Sequence, residues 1–212
     1  MKILVIRFSS IGDIVLTTPV VRVLKTQLDN VEVHYATKIQ FASIFQENPY
    51  IDKMHYLQGS LWDFIKELRN ENFDGIIDLH NNLRTRIIKF MLGVKSSSFH
   101  KLNFQKWLMV NLKINKLPSV HIVDRYLDAG KWLGIKNDSL GLDYFIPEKD
   151  EMPNDWLPPS HQAGYVVYAI GGQHATKKLP PLRMIELCKK IKRPIILLGG
   201  KEDLDAGESI RL

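Results

Sequence analysis

Only one cysteine, Cys188, occurs in the 212 residues. That excludes a disulfide framework, and a lone thiol fits a reducing, cytoplasmic setting. No run approaches the roughly 18 uncharged apolar residues that a membrane span requires. A signal peptide is not expected either, because Met1–Ile6 leads straight into Arg7 and a polar turn. The first apolar run is not followed by GxGxxG, which argues against a dinucleotide enzyme of the usual kind. There is no GxxxxGK[ST] for a P-loop NTPase and no GxSxG for a serine hydrolase. The seven histidines show no HExxH or paired metal-ligand spacing, and one thiol cannot build a thiolate zinc site. Low-complexity tracts and short repeats are absent as well.

The apolar fraction of 45% and the four tryptophans indicate a globular chain, long enough for one large or two small domains. A net charge of +6 permits an anionic partner without requiring one. With no basic helix and no RNA-binding aromatic motif, nucleic acid is not an expected partner.

The apolar run Ile3–Ile6 reads as a buried strand. It breaks at Ser9, Ser10 and Gly12, and Asp13 then opens a helix expected over 13–28, with apolar residues at Ile14, Val15, Val20, Val21 and Leu24. Further strands are expected at 31–36, 53–57 and 75–79, with helices at 38–46, 61–70 and 84–92 between and after them. A short strand near 97–100 follows, then a stretch from Asn103 to Leu133 that is helical in two pieces around Leu117-Pro118-Ser119. This alternation calls for right-handed crossovers and a parallel sheet, with the last two helices packed against it. Pro147, Pro153, Pro158 and Pro159 with scattered acids read as a linker. Beyond it a strand (165–170), a helix (182–191) and a second strand (195–198) restart the pattern, and Cys188 falls on the apolar face of that helix as a core residue. The expected domains are 1–147 and 164–212 with the linker at 148–163. The second is too small to cover both faces of a sheet, so it is expected to be incomplete.

Three loops that follow strands could carry chemistry, because ligands of open α/β sheets gather at the carboxyl ends of the strands. In the first, Ser9–Asp13, the carboxylate of Asp13 sits where a helix dipole favours an acid. It is either a helix cap or a base at the mouth of a cleft. In the second, Asp78–Thr85, the polar groups of His80 and Asn82 suit sugar hydroxyls and Arg84 suits a carboxylate or phosphate. A solvated turn with a helix cap explains the same residues. In the third, Gly171-Gly172-Gln173-His174-Ala175-Thr176-Lys177-Lys178, backbone N–H groups and two lysines suit a diphosphate, although glycines also serve plain turns.

Several segments occur in a fixed order: Arg7-Phe-Ser-Ser-Ile-Gly-Asp13 followed by Thr17-Thr18-Pro19, Ile77-Asp78-Leu79-His80-Asn81-Asn82-Leu83-Arg84, His121–Tyr126 with Leu133-Gly134, Lys177-Lys178-Leu179-Pro180, and Gly199-Gly200-Lys201-Glu202. Taken together they resemble the glycosyltransferase family 9 heptosyltransferases, the ADP-heptose:lipopolysaccharide transferases of Gram-negative bacteria. The resemblance implies a GT-B architecture of two Rossmann-like domains facing across a cleft. The first domain would bind the acceptor and the second the nucleotide-sugar. It further implies inverting chemistry without a metal or other cofactor, the nucleotide-sugar (ADP-heptose in this family) serving as substrate. Asp13 matches the catalytic aspartate, and Lys177 the lysine that neutralises the leaving diphosphate.

Ser9, Ser10, Gly12, His80, Asn82 and Arg84 would then line the acceptor side. Gly171, Gly172, Gln173, Thr176, Lys177, Lys178, Gly200 and Glu202 would line the donor side. The expected partners are a nucleotide-sugar and an anionic glycolipid acceptor of lipopolysaccharide-core synthesis. Such a protein works in the cytoplasm or peripherally at the inner face of the inner membrane. Two departures stand out. Leu179 occupies a position that is often Trp, and the family's donor-contacting Asp-[Ser/Thr]-Gly-x-x-His-x-Ala segment does not occur before Leu212. Another GT-B enzyme such as a UDP-sugar epimerase, and a non-catalytic glycan- or nucleotide-binding α/β module, are the alternative readings.

Overall fold

A computed structural model of the protein describes residues 1–153, 155–172 and 174–211. The chain divides into two compact units, Met1–Asp150 and Glu151–Leu212.

The first unit is built on five parallel strands: β1 (Lys2–Ile6), β2 (Glu32–Lys38), β3 (Lys53–Leu57), β4 (Gly75–Asp78) and β5 (Lys95–Ser98), in the order β3-β2-β1-β4-β5. Ile3, Leu4, Val5 and Ile6 have no exposed surface, which explains why β1 reads as an unbroken apolar run instead of alternating. Alternate residues feed two cores. Ile3, Val5 and Ile77 pack with Val20, Val21 and Leu24 of α2 (Thr18–Gln27) and with Tyr126 and Leu127 of α6 (Ile122–Asp128). Leu4, Ile6 and Ile76 pack on the other face with Phe64, Ile65 and Leu68 of α3 (Leu61–Arg69) and Ile88 of α4 (Leu83–Leu92). Burying each such side chain contributes about 1.5–3 kcal/mol. Gly75 is required at the start of β4, since a Cβ there would stand 2.6 Å from the Trp132 ring.

Three expectations need correction. The single helix expected over 13–28 is two helices, α1 (Ile11–Val15) and α2, because Ser10 caps the first two residues earlier and Thr17-Thr18-Pro19 start the second. The segment expected as a helix at 38–46 is a 3-10 turn, Ile39–Phe45, which needs to bury only Phe41 and Phe45. Of the two helices expected to pack on the sheet, α6 does so, whereas α5 (Asn103–Leu112) buries none of its residues. Its apolar side chains surround the helix and form no single stripe that one face of the sheet could cover.

The switch in strand order falls between β1 and β4, which run side by side with β2 and β5 on their outer edges. The loops after β1 and β4 therefore leave the sheet next to each other at its carboxyl edge, the usual ligand position in such sheets.

The second unit contains α7 (Pro159–Gln162), the parallel pair β6 (Val166–Ala169) and β7 (Ile195–Leu198), α8 (Pro181–Lys190) and α9 (Leu204–Ile210). Ile170, Met184, Cys188 and Ile210 form its core, so Cys188 is buried as expected. Among the described residues, no helix is long and apolar enough to cross a membrane.

Candidate active site

Asp13 is not the first residue of its helix but the third after the cap. Ser10 is the N-cap of α1, and its backbone N–H and Oγ donate to Asp13 Oδ2 at 3.3 and 2.9 Å. The guanidinium of Arg7, the residue just past β1, reaches the same oxygen at 2.6 Å. All three contacts fall on Oδ2. Among the described residues none engages Oδ1, and the side chain is 39% exposed. Partial burial pulls the Asp13 carboxyl upward, but the Arg7 charge and the Ser10 hydrogen bonds outweigh it and hold it below the ordinary carboxylate value. The arrangement is at once a helix cap and an ionised carboxylate with one oxygen free.

Arg7 gave no signal in the sequence beyond its place in a motif, and it organises the loop. Its side chain is buried and donates from Nε to the Ser9 carbonyl at 2.7 Å and from Nη1 to the Leu79 carbonyl at 2.5 Å. It also lies over the rings of Phe99 and Tyr126, with 6.0 and 5.7 Å to the centroids. One guanidinium thus ties the loops after β1 and β4 together and sets the position of Asp13.

The loop after β4 divides its residues between support and surface. Asp78 has no exposed surface. It accepts from the backbone N–H groups of His80 and Asn81 at 3.0 and 2.7 Å, and it pairs with Lys89 at 3.0 Å. Asn82 caps α4 through Oδ1, which takes the Thr85 N–H at 3.0 Å, so the structure places it in the cap that the sequence left open. Arg84 is exposed and takes part in no ion pair among the described residues. Gly12 is exposed with open space where a side chain would stand, and Ser9 is half-buried.

His80 is half-buried, packed edge-on against Phe8 with 5.4 Å between ring centroids, and its Nδ1 is buried without a hydrogen-bond partner. Burial first, then the charges of Arg7 and Lys101, pull its imidazole down to about 4, against smaller opposing effects of Asp78 and Asp13. It is therefore neutral when folded at any pH above that value. Between about 4 and the ordinary 6.5 of the unfolded chain, only the unfolded state takes up this proton. Stability must therefore fall as pH is lowered through that window. His80→Gln is expected to flatten the stability–pH curve between pH 4 and 6.5 relative to the parent; superimposable slopes in urea titrations would show that His80 does not carry the effect.

In the second unit the glycine loops are joined by a carboxylate that the sequence reading did not select. Asp203 is buried. Its Oδ1 takes the Lys178 ammonium at 2.5 Å and its Oδ2 takes the Gly200 N–H at 3.0 Å. The Lys178 hydrogen bond and the Gly200 amide lower its pKa. Lys178 is thus engaged inside the unit, while Lys177 and Thr176 are exposed and Gly172 is half-buried; Gln173 lies outside the described residues. Glu202 is exposed, with its carboxylate against Gly200. Gly171 is required here, because a Cβ would stand 2.4 Å from Asp203 Oδ2. Gly171→Ala is expected to break the Lys178–Asp203 pair and lower the unfolding transition of the second unit alone. Hydrogen exchange resolved by unit checks this, and unchanged protection around Gly200 would contradict it. A cavity of about 580 Å³ in the same unit has both apolar and charged walls: Ile170, Cys188, Ile195 and Leu197 line it together with Arg193, Asp203, Glu208 and Arg211, and Thr176–Lys178 are not part of its wall.

Among the described residues one cluster offers metal-ligand atoms: His34, His55 and Glu71 place a donor each within 4.8 Å of one another. Its groups already satisfy each other. His34 faces Glu32 at 2.7 Å and His55 faces Glu67 at 2.7 Å, the two inner nitrogens lie 2.9 Å apart, and Glu71 holds Lys2 and Lys53. An ion would have to displace this network.

No protein-family model matches the chain. It is similar to lipopolysaccharide heptosyltransferase 1 of Campylobacter coli, 24% identical over an alignment of 207 residues that covers 90% of this chain and 60% of the relative. It is also similar to the lipopolysaccharide core heptosyltransferase OpsX of Haemophilus influenzae, 23% identical over 88% of this chain and 62% of the relative. The chain thus spans about three fifths of the length of these curated relatives. Among solved structures it superposes on a family 9 glycosyltransferase from Veillonella parvula (TM-score 0.71, 19% identity, 99% of this chain and 66% of that one). It does so as well on ADP-heptose heptosyltransferase II of E. coli (TM-score 0.73, 16% identity, 99% and 68%). At such identities the superpositions establish the GT-B, Rossmann-like fold. In sequence, the chain is similar to the two heptosyltransferases of Campylobacter coli and Haemophilus influenzae.

Proposed function

We propose that this chain serves an inverting glycosyltransferase activity that moves a heptose from ADP-heptose to a lipopolysaccharide-core acceptor. The observation that carries the reading is Asp13: ionised by Arg7 and Ser10 through Oδ2, with Oδ1 free. In this mechanism Oδ1 takes the proton of an acceptor hydroxyl as its oxygen attacks the anomeric carbon. The carbon–oxygen bond to the diphosphate breaks on the opposite side. A carboxylate of lowered pKa is a weak base towards a resting hydroxyl. It accepts the proton late, when the attacking oxygen has become acidic.

The leaving diphosphate needs fixed cations where charge develops, and exposed Lys177 with the backbone amides around Gly171 and Gly172 suits that task. Support for an ADP-linked donor comes from the similar E. coli heptosyltransferase WaaC, solved with ADP and with ADP-2-deoxy-2-fluoro heptose.

The reading predicts that ADP-heptose binds with a contribution from Lys177, whose cation faces the charge of the diphosphate. Calorimetry with ADP-heptose tests it. No binding at millimolar ADP-heptose, or equal binding by a Lys177→Ala variant, would remove the donor assignment.

A further inference from the structure

His34 and His55 have no exposed surface, yet both are surrounded by charged groups. They stand on neighbouring strands, His34 opposite Lys53 and His55 opposite Ala36, so both project onto the face of the sheet that α3 covers. Each ring packs edge-on against Phe73, with 5.2 and 6.0 Å between centroids. Their outer nitrogens meet carboxylates: His34 Nε2 lies 2.7 Å from Glu32 and His55 Nδ1 lies 2.7 Å from Glu67. A carboxylate only accepts, so each outer nitrogen carries the hydrogen. Two neutral rings would then set two lone pairs against each other, since His34 Nδ1 and His55 Nε2 are 2.9 Å apart. The network closes only with a cation between the rings, either a proton that makes one of them imidazolium or a metal ion.

We propose that His34 Nδ1, His55 Nε2 and Glu71 Oε2 form a structural site for a divalent metal ion that prefers imidazole, zinc above all. Two imidazoles and a carboxylate are a zinc donor set, whereas magnesium and calcium take oxygen ligands. Donor atoms around a tetrahedral zinc stand about 3.3 Å apart. The inner nitrogens at 2.9 Å and the His34 Nδ1–Glu71 pair at 3.9 Å bracket that value, and all three donors lie within 4.8 Å. The rings must part slightly and the Glu71 carboxylate move inwards. Glu32 and Glu67 stand where carboxylates hold ligating imidazoles in one tautomer. The ion displaces the bridging proton to solvent and draws Glu71 from Lys53, which is exposed and can swing outwards.

The charges balance in that state. With Lys53 swung out, the carboxylates of Glu32, Glu67 and Glu71 face Lys2 alone, and a divalent ion offsets the two negative charges that remain. Glu67 also lines a cavity of about 320 Å³ with Tyr56, Asp63 and Phe64, a polar approach from solvent to the rim of the cluster. The cluster lies at the amino edge of the sheet: Lys2 opens β1, Lys53 opens β3 and Glu71 stands before β4. The Asp13 loop leaves from the opposite, carboxyl edge, so the ion takes no part in sugar transfer. Its effect is to tie β2 and the edge strand β3 to the segment that leads from α3 into β4. The two histidines are 21 residues apart, which is why spacing along the chain shows no ligand pair.

The test is zinc binding by the chain after treatment with EDTA, followed by calorimetry and by thermal unfolding. One zinc ion per chain is expected to bind and to raise the melting temperature of the first unit, with no response to magnesium or calcium at the same concentration. Glu67→Ala, at an exposed position, should weaken zinc about 10–100-fold, because it removes only the partner of an outer nitrogen. His55→Gln and Glu71→Ala each remove a ligand and should weaken it by at least about 100-fold, beyond the loss of a supporting carboxylate. Both should also abolish the rise in melting temperature. His55 is buried, and if that variant does not fold, the half-buried Glu71 carries the test. Cobalt in place of zinc should give the visible absorption of a tetrahedral site in the parent and lose it in Glu71→Ala. No zinc binding at submillimolar concentration would overturn the proposal and leave a proton between the rings. Equal binding by parent and ligand variants would overturn it too, by assigning the ion to surface histidines such as His100 or His121. An equal response to calcium would reduce the cluster to non-specific attraction by its acids.

Discussion

Asp13→Asn is expected to lower turnover by about 10²–10⁴-fold, assayed in any form of the protein that transfers heptose, while leaving the fold in place. The amide keeps the shape of the carboxylate and its Oδ atom can still accept from Ser10, so α1 stays capped. It cannot take a proton from the acceptor. Because the Arg7 pair is made to a side chain that is 39% exposed, losing its charge costs little stability. KM for the acceptor should change much less than kcat, since the lost interaction belongs to the transition state. The pH–rate profile gives a second readout. Asp13 is held below the ordinary carboxylate value, so the parent's rate should stay flat down to acidic pH where a normal carboxylate would already be protonated. Near-normal kcat in the variant would reduce Asp13 to a helix cap.

Much of this site could be read from sequence because it is built from contiguous segments. The strand Ile3–Ile6 and the turn beyond it appear as an apolar run broken by Ser and Gly, and β3 and β7 were expected at the bounds where they occur. What could not be read depends on pairs distant along the chain. Nothing local to Arg7 indicates that it reaches Leu79, 72 residues away, nor that Asp203 closes on Lys178, 25 residues back. The loop residues were also hard to rank, since a polar side chain after a strand serves a cap or a ligand equally well. Asn82 is the clear case: its position suited sugar recognition, and its Oδ1 is committed to the Thr85 amide. The failure at α5 has a different origin. Apolar residues at 104–112 suggest a packed helix, but their spread around the helix, interrupted by Gln105, Lys106 and Asn111, leaves no single inward stripe, and here none of it is buried.

The largest loss of stability in the first unit is expected from Arg7→Met. Methionine keeps the length and apolar stem of arginine but removes every donor. Two oxygens that the guanidinium serves, the carbonyls of Ser9 and Leu79, then lose their partner. A buried acceptor left unsatisfied costs about 1–3 kcal/mol. The Asp13 carboxylate can rehydrate and adds little, and the contacts with the Phe99 and Tyr126 rings are partly retained by the thioether. The expected total is about 2–4 kcal/mol, which for a unit of this size lowers Tm by roughly 5–15 °C. Asp13→Asn combined with Arg7→Met separates the two functions of the arginine. If Arg7 acts mainly by holding the loops after β1 and β4 together, the double variant should lose almost as much stability as Arg7→Met alone, because both carbonyls are still abandoned. If Arg7 serves only as the counter-ion of Asp13, removing the carboxylate first should make its loss nearly free. Urea unfolding of the parent, the two single variants and the double variant decides between them through the coupling energy. A coupling close to the whole effect of Arg7→Met would refute the clamp, and a small one would establish that one buried guanidinium fixes the loop that carries Asp13.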